Sequence, residues 1–120
     1  MAIPKGTRAV LPVTSFLLIK ANVGGKDVVR PYTPTSLEAD SLESFDIVIK
    51  KYDNGALTPH LFSLKPGDKI SVKGPIEKYP LAKRIESKED QFSHICMIAG
   101  GTGKTVSEIL SFYFYPYFYP

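Results

Sequence analysis

The residues with the most chemistry to offer stand together in Arg30-Pro31-Tyr32-Thr33-Pro34, directly after Asp27-Val28-Val29. They bring a permanent cation, a stackable ring and a hydroxyl onto one short segment. Pro31 and Pro34 hold φ near about −65° and push the residues before them toward extended geometry. Side chains alternate along such a segment, so Arg30 and Tyr32 share one face and Val29 and Thr33 the other. A guanidinium grips a phosphate through two parallel hydrogen bonds, and a tyrosine ring offers a flat apolar surface with a polar tip. The combination suits a ligand with a phosphate at one end and a flat heterocycle at the other. A plain proline-rich hairpin arm carrying a surface arginine has the same sequence, so the elements around it must decide.

Those elements are short. Val13 to Val23 predicts a strand, Gly24-Gly25 a hairpin turn whose residues take positive φ without a Cβ penalty, and Asp27 to Thr33 the returning arm. Ser36 to Ser44 is polar and predicts a loop. Phe45 to Tyr52 is rich in β-formers and predicts a strand closed by the turn residues Asp53-Asn54-Gly55. Thr58-Pro59 predicts a helix start, with Thr58 as N-cap and Leu61, Phe62 and Leu64 as the helix's apolar stripe. Pro66-Gly67-Asp68 ends it. Lys69 to Gly74 alternates and predicts a half-buried strand. Pro75 to Gln91 is polar and irregular, with a strand expected near Tyr79-Leu81. His94 to Ala99 predicts a compact apolar strand, followed by Gly100-Gly101-Thr102-Gly103 and a helix from Lys104 to about Leu110.

Short strands, tight turns and one short helix predict a mainly β fold, a small antiparallel Greek-key barrel. Strand, glycine-rich turn and helix at the end predict the opening of an α/β nucleotide-binding domain. The expected division is a barrel over 8–92, the start of a second domain over 93–111 and an aromatic tail over 112–120. The tail, Phe112 to Pro120, holds half of the chain's 7 Tyr and 7 Phe. It fits neither a helical face nor a strand alternation. An aromatic binding arm is one reading; a chain end without selected structure is the preferred one.

Composition excludes several functions. The 120 residues hold about one domain, and 43% apolar with 22% charged residues is ordinary for a globular chain. A net charge of +3 without a basic stripe argues against nucleic acid as partner. The lone Cys96 excludes an internal disulfide, and its apolar run Ile95-Cys96-Met97-Ile98 predicts a buried, inert thiol. His60 and His94 are too few and too far apart to predict a metal site. No apolar run reaches the roughly 18 residues of a membrane span, and the start has no signal core. Gly103-Lys104-Thr105 fails as a phosphate-binding P-loop, because the position five residues before Gly103 is Ile98 rather than glycine.

Four stretches, in order, resemble the NADH-cytochrome b5 reductase family within the ferredoxin reductase-like flavoproteins. They are Arg30-Pro31-Tyr32-Thr33; Val48-Ile49-Lys50-Lys51-Tyr52; Gly55-Ala56-Leu57-Thr58 with Leu64-Lys65-Pro66-Gly67-Asp68 and Val72-Lys73-Gly74-Pro75; and Met97-Ile98-Ala99-Gly100-Gly101-Thr102-Gly103. The resemblance implies FAD as cofactor, NADH as electron donor and a haem protein such as cytochrome b5 as acceptor. It implies that Arg30 neutralises the FAD diphosphate, that Tyr32 packs on the isoalloxazine and ribityl chain, and that Thr33 hydrogen-bonds the flavin while Pro31 stiffens the segment. Val48 and Lys50 would touch the flavin, and Lys50 would also attract the nicotinamide nucleotide. Gly55, Ala56, Leu57 and Thr58 would offer N–H groups to the diphosphate, as a turn running into a helix N-terminus can. Gly100, Gly101, Thr102 and Gly103 would meet the nicotinamide nucleotide, and Thr105 the FAD.

The pattern breaks where relatives continue with isoleucine, threonine and proline. Here Lys104, Thr105 and Val106 follow, and only the threonine is kept. The family also has a further strand region upstream, so the chain looks truncated at both ends. The resemblance implies an oxidoreductase, with mitochondrial or endoplasmic-reticulum membrane association, and the wording of Thr58 to Phe62 and Gly74 to Lys78 leans to mitochondrial members. No side chain is a candidate nucleophile or general base, so no catalytic residue is named. For the chain alone, weak FAD binding and little reductase activity are expected. Two rivals share the rhythm of strands and turns: a truncated fragment without function, and an OB-like small-barrel binding module.

Overall fold

A computed structural model describes residues 1–4, 10–12, 14–36, 43–87, 96 and 98, without the side chains of 82, 85 and 86. Strand β1 spans Ser15–Val23 and β2 spans Lys26–Tyr32. They form an antiparallel hairpin in register from Val23↔Lys26 to Leu17↔Tyr32. Gly24 and Gly25 make the turn with φ of 59° and 79°, the doubly positive geometry that matches the twist of a two-residue hairpin. At the tip, Asp27 accepts from Lys20 Nζ at 2.5 Å and from Asn22 Nδ2 at 3.2 Å. These bonds hold its carboxyl below the usual carboxylate range, the Lys20 bond being the largest cause and Asn22 the next.

Strand β3, Ser71–Glu77, pairs antiparallel with the other side of β1, giving the order β2-β1-β3 with an irregularity between Phe16 and Leu18. Helix α1 covers Thr58–Ser63 and helix α2 covers Leu81–Ser87. The fold is mainly β and antiparallel, as the turn-rich sequence predicts. Ile19 is fully buried in the central strand. A second apolar nucleus joins Leu11, Leu17 and Phe45, with Met1, Ile3 and Ile47 against it. The first residues join the β layer here: Ala2 bridges Ser44, Ile3 N–H donates to the Glu43 carbonyl at 2.9 Å, and Phe45 N–H to the Met1 carbonyl at 2.8 Å.

Several expectations are corrected. Among the described residues, Phe45 to Tyr52 shows no ladder; Ser44 and Ile47 make isolated bridges, to Ala2 and Pro34. Alternation of apolar residues reports which side chains face inward, whereas a ladder needs a neighbouring strand along its length. In β3, Ser71 to Pro75 are exposed and only Ile76 and Glu77 are partly covered, because β3 is an end strand of the described sheet.

The strand expected near Tyr79-Leu81 is the approach to α2. Its residues Leu81-Ala82-Lys83-Arg84 are strong helix formers, and the Pro80 carbonyl accepts the first helical bond from Arg84 N–H at 3.1 Å. On α1, Leu61 and Leu64 are partly buried while Phe62 is exposed beneath Lys51, whose Nζ lies 5.9 Å from the ring centre. Cys96 is exposed rather than buried, and Ile98 is 96% exposed. An apolar side chain is buried only where other elements cover it, and among the described residues none covers Cys96 or Ile98. The strand-turn-helix expected after His94, and the aromatic tail, otherwise lie outside the described residues.

Candidate functional site

A cleft of about 410 Å³ is lined by two segments, Arg30, Pro31, Tyr32 and Thr33 from the first and Val48, Ile49, Lys50, Tyr52, Gly55, Ala56, Leu57 and Thr58 from the second. That volume is within the usual range for small-molecule sites. The first wall is the end of β2. Arg30 and Tyr32 sit opposite Ile19 and Leu17, and directly opposed residues of an antiparallel pair share a face, so these buried residues of β1 lie beside them. Arg30 is exposed and Nη1 donates to the Val29 carbonyl at 2.7 Å. One bond occupies one of a guanidinium's five N–H donors, which leaves the fork able to receive an anion. Tyr32 is half-buried; burial pushes its phenol above the ordinary 10.0 and the Arg30 charge pulls weakly the other way. The ring therefore stays neutral in neutral solution.

The second wall is an arm and a turn. Residues at i, i+2 and i+4 of an extended arm share a face, so Val48, Lys50 and Tyr52 form one stripe. Val48 is 69% and Tyr52 54% exposed, and Lys50 Nζ lies 5.2 Å above the Tyr52 ring centre. Gly55 N–H donates back to the Tyr52 carbonyl at 2.9 Å, closing the turn. A Cβ at Gly55 would collide with Thr58 Oγ1 and lie 3.0 Å from the Tyr52 carbonyl oxygen, so glycine is required here by close approach. Leu57, 2% exposed, anchors the turn from beneath.

Two expectations about this turn change. The N-cap of α1 is Leu57, with φ −121° and ψ −35° and no side-chain cap bond; Thr58 is the first helical residue. Its hydroxyl is taken by Tyr52, from whose N–H it accepts at 3.2 Å and to whose carbonyl it donates at 2.9 Å. Of the N–H groups expected to face an anion, that of Gly55 is spent inside the turn. Those of Ala56, Leu57 and Thr58 have no partner among the described residues.

The structure thus brings together Arg30, Pro31, Tyr32, Thr33, Val48, Lys50, Gly55, Ala56, Leu57 and Thr58, from two segments that are separate in sequence. Ile49 and Tyr52 line the same cleft and were not singled out by the sequence. The i, i+2 spacing from Lys50 would have found Tyr52. Gly100, Gly101, Thr102, Gly103 and Thr105 lie outside the described residues. Among the described residues, no cluster of His, Cys, Asp or Glu could hold a metal ion, and no helix is long and apolar enough to cross a membrane.

The donor set fits a flavin dinucleotide. A diphosphate accepts hydrogen bonds without donating, and the residues that line this cleft supply the Arg30 guanidinium, three amides with no partner among the described residues and a half-buried ring. Comparison with known proteins agrees. Residues 2–80 match the oxidoreductase FAD-binding domain family. The chain is 40% identical over 102 residues to NADH-cytochrome b5 reductase 1 of Kluyveromyces lactis, covering 84% of this chain and 34% of that protein. It is 41% identical over 110 residues to NADH-cytochrome b5 reductase 2 of Mycosarcoma maydis, covering 86% and 29%.

Among solved structures, the CS-b5R domains of human Ncb5or in the NAD+ form superpose with a TM-score of 0.59 at 28% identity, covering 71% of this chain and 26% of that one. The fold and site define an oxidoreductase-type FAD-binding domain, and within that class the chain belongs to the NADH-cytochrome b5 reductase family. It spans about a third of the length of the curated relatives it matches.

Proposed function

We propose that this chain is the flavin-binding portion of an NADH-dependent reductase that passes electrons through FAD to a haem protein such as cytochrome b5. The observation that carries the reading is the convergence of Arg30 and the Ala56–Thr58 amides on one cleft. Arg30 and those amides hold the diphosphate from two sides. Tyr32 packs along the flavin and ribityl chain, Thr33 hydrogen-bonds the ring, and Pro31 keeps the segment from spreading. Val48 and Lys50 bound the flavin opposite, with Lys50 also drawing in the nicotinamide nucleotide. FAD held by these residues would supply the redox chemistry between NADH and the acceptor, and the protein supplies position and charge.

In this reading the barrel occupies 8–92, and 93–111 opens a nucleotide-binding domain in which Gly100, Gly101, Thr102 and Gly103 meet NADH and Thr105 meets FAD. Titrating the chain into FAD and following quenching of flavin fluorescence tests the reading. Saturable quenching that ADP competes away is the expected result. Flavin fluorescence unchanged at high chain concentration contradicts it.

A further inference from the structure

Asn54-Gly55 carries a chemistry that flavin binding does not use. The backbone nitrogen after an asparagine can attack the side-chain amide carbon, and glycine permits the approach because it has no Cβ in the way. The other asparagine of the chain, Asn22, is built against this reaction. It lies in β1 opposite Asp27, whose carboxylate accepts its Nδ2 at 3.2 Å, and the stiff β-branched Val23 follows it. Asn54 lies exposed in a turn, and its side chain has no partner among the described residues.

One bond restrains Asn54. Gly55 N–H donates to the Tyr52 carbonyl at 2.9 Å, and a nitrogen attacks only after releasing its proton, so the reaction needs this turn bond open. The next three amides, of Ala56, Leu57 and Thr58, are those assigned above to the diphosphate. A ligand held on them keeps the turn closed.

We propose that Asn54 is a self-modification site, which deamidates in the flavin-free chain, is shielded by bound FAD, and once converted weakens the diphosphate grip. Gly55 N bonds to Asn54 Cγ, the Cγ–Nδ2 bond breaks, and ammonia leaves with the Gly55 amide proton. Water then opens the succinimide at either carbonyl, giving aspartate or isoaspartate. Aspartate sets a second carboxylate beside Asp53, just ahead of the three amides. Isoaspartate lengthens the backbone by a methylene next to Gly55, where even an added Cβ would collide with Thr58 Oγ1. The shielding and the loss of grip rest on the flavin-binding reading above.

The test incubates the full chain in mildly alkaline buffer, in the dark, with and without FAD. Peptide mass mapping follows conversion of both asparagines, and fluorescence quenching gives FAD affinity before and after. Asn54 should convert and Asn22 should not. A ligand that binds only the closed turn lowers the open fraction by 1 + [L]/Kd, so FAD at ten times Kd should slow Asn54 roughly tenfold. The aged chain should bind FAD about tenfold more weakly, roughly the loss of one or two net hydrogen bonds, whereas aged Asn54→Gln should keep its starting affinity. No conversion at Asn54, equal conversion at Asn22, or an aged chain with unchanged affinity would overturn the proposal. FAD that is quenched yet leaves the Asn54 rate unchanged overturns the proposal alone. FAD that is neither quenched nor protective overturns the flavin reading, and the proposal with it.

Discussion

The two walls of the cleft are built by different means. The Arg30–Thr33 wall ends a strand paired to β1 over the whole hairpin, with buried Leu17 and Ile19 beside it. Among the described residues, the Val48–Thr58 wall shows no ladder beyond Ile47; a hydroxyl, a turn bond and one buried leucine hold it. A ladder spreads its stability over many bonds, so losing one side chain changes little of the backbone's course. A latched wall concentrates it in a few atoms. The cation therefore sits on the stiff wall, and the amides that must match a ligand's oxygens sit on the wall most sensitive to single substitutions.

The largest effect should come from removing the apolar anchor of either wall. Leu57→Ala and Ile19→Ala should each cost about 2–5 kcal/mol in denaturant unfolding. They should differ in character. Ile19→Ala lowers the stability of the whole sheet, whereas Leu57→Ala should also raise hydrogen exchange in the Gly55–Thr58 turn well below the unfolding midpoint. Next comes Gly55→Ala, expected to destabilise by about 1–3 kcal/mol from forced overpacking against Thr58 and the Tyr52 carbonyl, with flavin affinity falling alongside. The same substitution at Gly25 on the hairpin meets open space and suffers only from its positive φ of 79°, so its loss should appear in stability alone.

Two smaller effects are set by pH. Tyr32 has its folded pKa raised above 10.0, so the folded state retains a proton that the unfolded chain releases. Its contribution is whole below pH 10 and is lost as pH rises through the folded value. Stability measured across pH 9–12 should therefore fall less steeply in Tyr32→Phe. Asp27 has the opposite sign: its folded pKa lies below 3.8, so its contribution is present above that pH and lost as pH falls through the folded value. Asp27→Asn should flatten the acid limb slightly, the smallest effect here, because the carboxylate is exposed and its ion pair with Lys20 is screened by solvent and salt.

Much of this was readable in the residues. Gly24-Gly25 specified the hairpin, and the flanking prolines specified an extended Arg30–Thr33. The four ordered stretches specified the family, since each has its own physical demand: a cation before a proline-fixed tyrosine, a β-rich arm, a glycine turn into a helix. What stayed hidden depends on partners. Thr58-Pro59 has the composition of an N-cap, but a hydroxyl bonds whichever backbone group lies nearest, and the fold puts Tyr52 there. Phe45 to Tyr52 has a strand's composition, but pairing is a property of two segments, and among the described residues only isolated bridges meet it. Helix α2 was legible in Leu81-Ala82-Lys83-Arg84 but obscured by the prolines and charges around it. Cys96 lies in an apolar run whose burial depends on elements that cover it.

The central claim is that the guanidinium of the laddered wall and the amides of the latched wall grip one diphosphate. Its most direct test is an FAD titration of the parent chain and of Arg30→Ala, with riboflavin, which lacks the diphosphate, as the second ligand. Losing a charge-assisted bond to phosphate should weaken FAD by about 1.5–3 kcal/mol, roughly ten- to hundredfold, while riboflavin binding stays as in the parent. Equal FAD affinity in parent and variant, or an equal loss for both ligands, would contradict it.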